Sequence, residues 1–231
     1  MPAPGFSPRR IVVALDASPA SLAALEAAGR LAARLQAELL GLFVEDVNLR
    51  RLVELPMASH YSLSSGSGLR LDAPALESQL RELAARARTA LDALASRLAL
   101  HASFRVARGS VTTELLTAAG EGDLLILGRA GHSLARHEGL GGTARSAARD
   151  SPGPVLLLPP GASLAGPVVV VQDASATSRP ALEAGRRIAE VLGEELVVLA
   201  TAPTEAEAAE LARGCRRAAK AAGSEVRVRA L

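Results

Sequence analysis

Three glycines near the middle of the chain have a spacing that could hold a phosphate group. The stretch 124–146 reads LLILGRAGHSLARHEGLGGTARS, in which Gly128, Gly131 and Gly141 form the pattern G-x2-G-x9-G. Glycine lets backbone amides approach an anion without an intervening Cβ, and it accepts positive φ angles. The segment from Gly142 onward has a helical pattern, and the amides of a helix N-terminus favour negative charge. The spacing therefore indicates an anion site, although a glycine loop alone is often only a turn.

Polar residues that follow two other apolar runs are expected to lie beside this loop. The segment ALDAS ends the first predicted strand, and FVED ends the second. In an open parallel sheet, ligands bind beyond the carboxyl ends of the strands, where the strand order reverses. Asp16 has two alternative roles there. It could contact a ligand, or it could hold the first helix in place together with Ser18.

No catalytic group of residues is evident from the sequence. Nothing forces a nucleophile and a base together, and there is no G-x4-G-K-[ST] phosphate loop. His132 and His137 lack neighbouring cysteines or carboxylates at ligand spacing, which argues against a metal site. Cys215 is the only cysteine and is expected to be an ordinary helical residue. An enzyme is therefore the weaker interpretation, and slow hydrolysis of ATP is the most activity that we would expect.

Short aliphatic runs alternate with long segments of helical period. The predicted strands are 10–16, 37–46, 103–109, 123–128 and 154–160, and the predicted helices are 18–36, 76–99 and 111–122. Continuous aliphatic strands separated by helices predict an α/β fold with a doubly wound, open, parallel five-stranded sheet. Residues 47–75 are rich in Ser, Gly and Pro. They are expected to form a surface excursion, either a lid or a disordered insert.

The sequence also contains an internal repeat. Residues 11–44 align without a gap with residues 168–201, so that the Asp-Ala-Ser of 16–18 recurs at 173–175. Shared composition could match alanines by chance, but not this motif in register with a later Leu-Glu. We interpret the alignment as a duplication.

The second copy is shorter than the first. After the aligned region it has a predicted helix at 204–222 and a predicted strand at 225–231, with no counterpart of 123–160. Two units are therefore predicted. Residues 1–160 form a complete domain, and residues 161–231 form a degenerate, half-length β-α-β-α-β repeat.

Composition narrows the class of protein. The chain has 231 residues, of which 49% are apolar, and its net charge is only +2. This is typical of a globular protein. Without a block of basic residues, and with only 2% aromatics, nucleic-acid binding is not expected. No segment resembles a signal peptide or approaches the ~20 apolar residues of a membrane span, so we expect a cytoplasmic protein.

The chain resembles the universal stress protein family. The resemblance rests on VVALDAS, FVED, the glycine spacing, SPGPVLLLP and the order of the elements, and it covers residues 10–160 with 167–231 as a truncated second copy. It implies the strand order 3-2-1-4-5. It also implies a site for ATP, or for ADP or AMP, with Mg²⁺.

The residues that the resemblance assigns to the nucleotide fall into three groups. Those expected near the nucleoside are Asp16 and the backbone of Ala14, with the backbone of Val44 beside adenine. Those expected to line the phosphates and ribose are Gly128, Arg129, Ala130, Gly131 and His132. Those expected to close over the phosphates are Gly141, Gly142, Thr143 and Ala144.

One position departs from the family pattern. The family has Ser or Thr directly after the last glycine, whereas this chain has Gly142, with a hydroxyl one residue later at Thr143. Loss of a hydrogen bond to a charged acceptor costs about 1.5–3 kcal/mol, which predicts weakened binding.

Two functions therefore remain open at this stage. One is a stress-response or regulatory protein that binds an adenine nucleotide in its first domain. The other is a nucleotide-free interaction or dimerisation scaffold of the same fold. The family resemblance further implies a homodimer that pairs through the fifth strand, at 155–158.

Overall fold

A computed structural model describes residues 6–53, 59–61, 68–70, 73–128, 141–159, 164–173, 175, 178–221 and 226–230. The elements in chain order are β1 (Arg10–Leu15), α1 (Pro19–Leu35), β2 (Glu38–Asp46), α2 (Val47–Val53), β3 (Ser59–Tyr61), β4 (Gly68–Arg70), α3 (Ala73–Leu98), β5 (Ala102–Gly109), α4 (Val111–Ala118), β6 (Leu124–Gly128), α5 (Gly142–Asp150), β7 (Val155–Leu158), β8 (Val168–Gln172), α6 (Ser178–Leu192), β9 (Leu196–Ala200), α7 (Glu205–Ala221) and β10 (Val226–Ala230).

The first five long strands form one parallel sheet in the order β5-β2-β1-β6-β7. This is the order 3-2-1-4-5, and it confirms the predicted doubly wound α/β fold. The central strands β1 and β6 are mostly aliphatic because both faces of the sheet are covered there, whereas the edge strand β5 carries polar residues and is largely exposed. Ile11 and Val13 pack into the core on the side of α1 and α3, whereas Val12 packs into the core that includes α4 and α5.

Local sequence signals explain where α1 begins and how closely it packs. Ser18 is the N-cap, its side chain accepts a hydrogen bond from the Ser21 amide, and Pro19 occupies the first turn. Gly29 then lets α3 approach, since a Cβ at this position would lie 2.5 Å from Cδ2 of Leu94.

Strands β8, β9 and β10 form a second, three-stranded parallel sheet in the order β10-β9-β8. The turn after β8 repeats the hydrogen bonds of the turn after β1. Oδ1 of Asp173 accepts from the Ser175 amide at 3.0 Å, as Oδ1 of Asp16 accepts from the Ser18 amide at 2.9 Å. This recurrence agrees with the interpretation of the repeat as a duplication, which stays a prediction.

The second sheet unit packs against α1. Ile188 of α6 belongs to the same core cluster as residues of α1, and Nη1 of Arg34 donates to the carbonyl of Val191 at 2.7 Å.

Within the described ranges, no helix is long and apolar enough to cross a membrane.

Among residues 47–75, which were expected to form a lid or a disordered insert, the described residues include regular structure. Residues 47–53 form helix α2 directly after β2, and β3 pairs with β4 in an antiparallel fashion. Asp46 starts α2, because its Oδ1 accepts from the Asn48 amide at 2.9 Å, and an ion pair between Arg50 and Glu77 ties α2 to α3. Helix α2 was not predicted from the sequence.

Candidate functional site

A cavity of about 420 Å³ lies beyond the carboxyl ends of β1, β2 and β6. Strand β1 is central and has β2 on one side and β6 on the other, so the cavity is at the point where the strand order reverses. The eight predicted site residues that the structure describes all line it: Ala14, Asp16, Val44, Gly128, Gly141, Gly142, Thr143 and Ala144. The other four, Arg129, Ala130, Gly131 and His132, lie outside the described residues.

The first wall of the cavity is the turn between β1 and α1. Asp16 is half-buried and accepts from the Ser18 amide, while its own amide donates to Oγ of Ser21 at 3.3 Å. The Ser21 hydroxyl in turn donates to the carbonyl of Ser18 at 3.1 Å. Asp16 therefore has the structural role that the sequence analysis considered, at a position that also faces the cavity.

The opposite wall is the start of α5. Its N-cap is Gly141, which supplies no side-chain hydrogen bond to the helix. The first amides of any helix lack acceptors within the helix, and an N-cap side chain usually satisfies one of them. No acidic residue stands in the first turn of α5. The positive end of the α5 dipole therefore faces the cavity without a side chain that would neutralise it, and an anion would be stabilised there.

Gly142 is exposed at the same helix start. A Cβ built on it meets no heavy atom within 4 Å, so the position has room for a larger residue. Thr143 is half-buried and also lines the cavity. The hydroxyl that the family pattern has at position 142 is thus displaced by one residue along the same helix turn.

Most of the remaining wall is apolar. Its residues were not predicted from the sequence as part of the site, and they are Leu15, Leu42, Phe43, Leu49, Leu80, Leu83, Val111, Leu115 and Leu127. Their periodicity marked several of them as core residues but gave no sign of which would border a cavity. Leu49 in particular depends on α2, and it is 44% exposed beside the opening.

The charged residues of the wall are acidic. Among the described lining residues these are Asp16 and Asp46, and none is Arg, Lys or His. Asp46 caps α2, so its carboxylate is already engaged with the Asn48 amide. A phosphate in this cavity would consequently be held by the amides of α5 and not by a described cationic side chain.

Comparison with known proteins agrees with this architecture. The family model described as the universal stress protein family matches residues 8–159. A universal stress protein from Archaeoglobus fulgidus DSM 4304 has a TM-score of 0.67 at 19% identity, over 97% of this chain and 79% of that chain. A functionally unknown protein from Pseudomonas aeruginosa PAO1 has a TM-score of 0.54 at 17% identity, over 98% and 75%.

A universal stress protein in complex with cAMP has a TM-score of 0.46 at 22% identity, over 66% of this chain and 97% of that chain. No curated protein matches the sequence. The family match spans more than half of the chain, and the sheet order and the position of the cavity agree with it. The chain therefore belongs to the universal stress protein family.

Proposed function

We propose that residues 1–160 form a domain that binds an adenine nucleotide, ATP or else ADP or AMP, and acts in the cytoplasm as a stress-response or regulatory protein. The observation that carries this proposal is the start of α5. Its glycine N-cap faces a cavity at the reversal point of the sheet, beside Asp16 and Val44. Family membership supports the same function.

The two ends of a nucleotide would meet different surroundings in this cavity. The base would lie against the aliphatic wall near Val44 and Val111, where burial of an apolar ring is favourable. The phosphates would lie at the amides of Thr143 and Ala144. The described residues hold no group of three or more metal-ligating side chains. Mg²⁺ would therefore arrive on the phosphates, which commonly hold it together with water.

A nucleotide-free scaffold is the second candidate. It is favoured by the acidic lining, because Asp16 and Asp46 oppose a polyanion and no described lining side chain offers a positive charge. In such a protein the cavity would bind no nucleotide, and the function would depend on interactions of the protein surface or on dimerisation.

Thermal unfolding with millimolar Mg-ATP, Mg-ADP or AMP separates the two candidates. A ligand at 100 times its Kd stabilises the folded state by about 2.7 kcal/mol. For a chain of this size that raises the Tm by about 5–10 °C. The absence of a shift with all three nucleotides would favour the scaffold.

Thr143→Glu gives the matched test of the site. A carboxylate in the first turn of α5 favours the helix but repels a phosphate, so the fold should stay intact while the nucleotide-induced shift disappears. Thr143→Gln has nearly the same shape without the charge and should retain most of the shift. Equal shifts in both variants would place the phosphates elsewhere.

A further inference from the structure

Among the described residues, helices cover the second sheet on one face only. Its core contains Val170, Val198 and Val228 together with residues of α6 and α7, so both helices lie on that face. The other face includes Val169 and Val171, which are 54% and 56% exposed. The repeat alignment pairs Val169 with Val12 of the first sheet, which is 0% exposed. Equivalent positions are thus buried in one sheet and exposed in the other.

The strand register shows how this uncovered face is arranged. Val169 is adjacent to Val197 and then Arg227, and Val171 is adjacent to Leu199 and then Arg229. We call the surface formed by Val169, Val171, Val197, Leu199, Arg227 and Arg229 the open face. Val197 lies between Val169 and Arg227 and is itself only 8% exposed, so the exposed aliphatic part is the β8 side. It has an aliphatic side along β8 and a basic side along β10. Exposed apolar surface flanked by charge is typical of an interaction site.

The first sheet shows which kind of element covers a face of this type. Its corresponding face is covered by α4, which places Val111, Leu115 and Ala118 against the strands and carries Glu114 in its first turn. Apolar residues spaced in this way form one stripe along a helix. The natural complement of the open face is therefore a helix with one aliphatic stripe.

The charges of the open face favour an acidic helix. Arg227 is paired with Glu195 at 3.0 Å, whereas Arg229 is exposed and has no ion pair within the described part of the chain. A second copy that met this surface with its own open face would bring, from its described residues, a second Arg229 and a Glu195 that is already paired with Arg227. We propose that the open face binds an amphipathic, acidic helix of a partner protein. The aliphatic stripe lies on Val169 and Val171, and a carboxylate pairs with Arg229.

A model peptide tests this proposal on the full chain. The probe is a helical peptide of about 18 residues with leucines at i, i+3, i+4 and i+7, flanking glutamates and one tryptophan. The protein has no tryptophan, so the fluorescence reports the peptide alone. The control peptide has lysine in place of each glutamate. The glutamate peptide should bind, and the lysine peptide should bind at least about tenfold more weakly, which corresponds to about 1.4 kcal/mol.

Variants of the protein locate the binding. The double variant Val169→Thr/Val171→Thr keeps β-branched residues on the strand and should weaken binding of the glutamate peptide by about tenfold or more. Val106→Thr, at a valine that is 47% exposed on the edge strand β5, is the matched control and should leave binding unchanged. Arg229→Glu should reverse the preference, so that the lysine peptide binds more tightly than the glutamate peptide.

The proposal is overturned if the glutamate peptide does not bind the wild-type chain, if the two peptides bind equally, or if Val106→Thr weakens binding as much as Val169→Thr/Val171→Thr does. Sedimentation of the protein alone tests whether a second copy of the chain occupies the open face. Self-association that disappears in Val169→Thr/Val171→Thr would assign the open face to a second copy and would also overturn it. The peptide assay contains no nucleotide, so its outcome is independent of the proposed nucleotide function.

Discussion

Position 142 decides how strongly the proposed site could bind a nucleotide. The chain has glycine where the family pattern has a hydroxyl, and space around this glycine is open. The departure is visible in the sequence, and the structure adds that a side chain would fit at this position. The sequence does not identify Leu80 or Leu83 as lining residues, because a leucine on a helical stripe has the same spacing whether it borders a core or a cavity.

Gly142→Ser should tighten binding of the nucleotide by up to about tenfold, since it adds one hydroxyl to a charged acceptor without a steric clash. Isothermal titration with Mg-ATP measures the change, and Gly142→Ala is the control that adds only the Cβ. Weaker binding by Gly142→Ser than by the wild type would mean that Thr143 already supplies the hydroxyl that the family has at this position.

At the scale of elements, the five strands of the first sheet and helices such as α1, α3 and α4 were predictable, whereas the short elements α2, β3 and β4 were not. Helices α1 and α3 have apolar residues at helical spacing over many turns, so their existence follows from the sequence. Helix α2 has seven residues, and its described contacts are the cap from Asp46 and the ion pair from Arg50 to Glu77. The cap is a local signal, but Arg50 and Glu77 are 27 residues apart, and such a pair cannot be recognised from local spacing.

Two helical glycines should respond in opposite ways to the same substitution. Gly29→Ala places a Cβ 2.5 Å from the buried Leu94, and overpacking should lower the free energy of unfolding by about 1 kcal/mol or more. Gly214→Ala in α7 meets nothing within 4 Å and should raise it by about 0.5–1 kcal/mol. Urea unfolding measures both. A stabilising Gly29→Ala would mean that Leu94 can move aside without loss.

Glu26 of α1 forms an ion pair with Arg97 of α3, and the contribution of this pair to the free energy of unfolding depends on pH. Partial burial acts to raise the pKa of this carboxyl, but hydrogen bonds from Arg97 and Arg30 outweigh it, and the pKa lies below its ordinary value of 4.5. A lowered pKa means a contribution to stability that is present above the unfolded-state value and is lost as the pH falls through the folded-state value. Glu26→Gln should therefore be less stable than the wild type at pH 7 and equally stable in strong acid. A difference that persists there in urea unfolding would assign the effect to packing.

At the scale of the whole molecule, the family and the strand order that the resemblance implied are both confirmed. The open face of the second sheet was not foreseen. Val169 and Val171 have the aliphatic character of buried strand residues, and a run such as VVVV predicts burial on both faces. Whether a helix covers a face depends on which elements follow, and the spacing of valines carries no information about that.

The β7 edge of the first sheet is the other surface through which we expect assembly. Strand β7 is the last strand of that sheet, and the Leu125 amide donates to the carbonyl of Pro154 at 3.0 Å. Because alternate residues of a parallel strand bond to one neighbour, the amides of Val155 and Leu157 point away from β6. An aliphatic edge with free amides is normally covered, and Pro159 limits pairing to a short stretch.

We predict a homodimer formed by pairing of β7 with β7 of a second copy. Sedimentation equilibrium at micromolar concentration should show a dimer in the wild type. Leu157→Pro removes an outward amide but no bond to β6, so it should yield a folded monomer, with circular dichroism as the check on folding. Leu157→Val keeps the amide and should remain dimeric. A monomeric wild type, or a Leu157→Pro variant that is still a dimer, would show that β7 does not form the contact. If the dimer instead depends on Val169 and Val171, the second sheet joins the two copies.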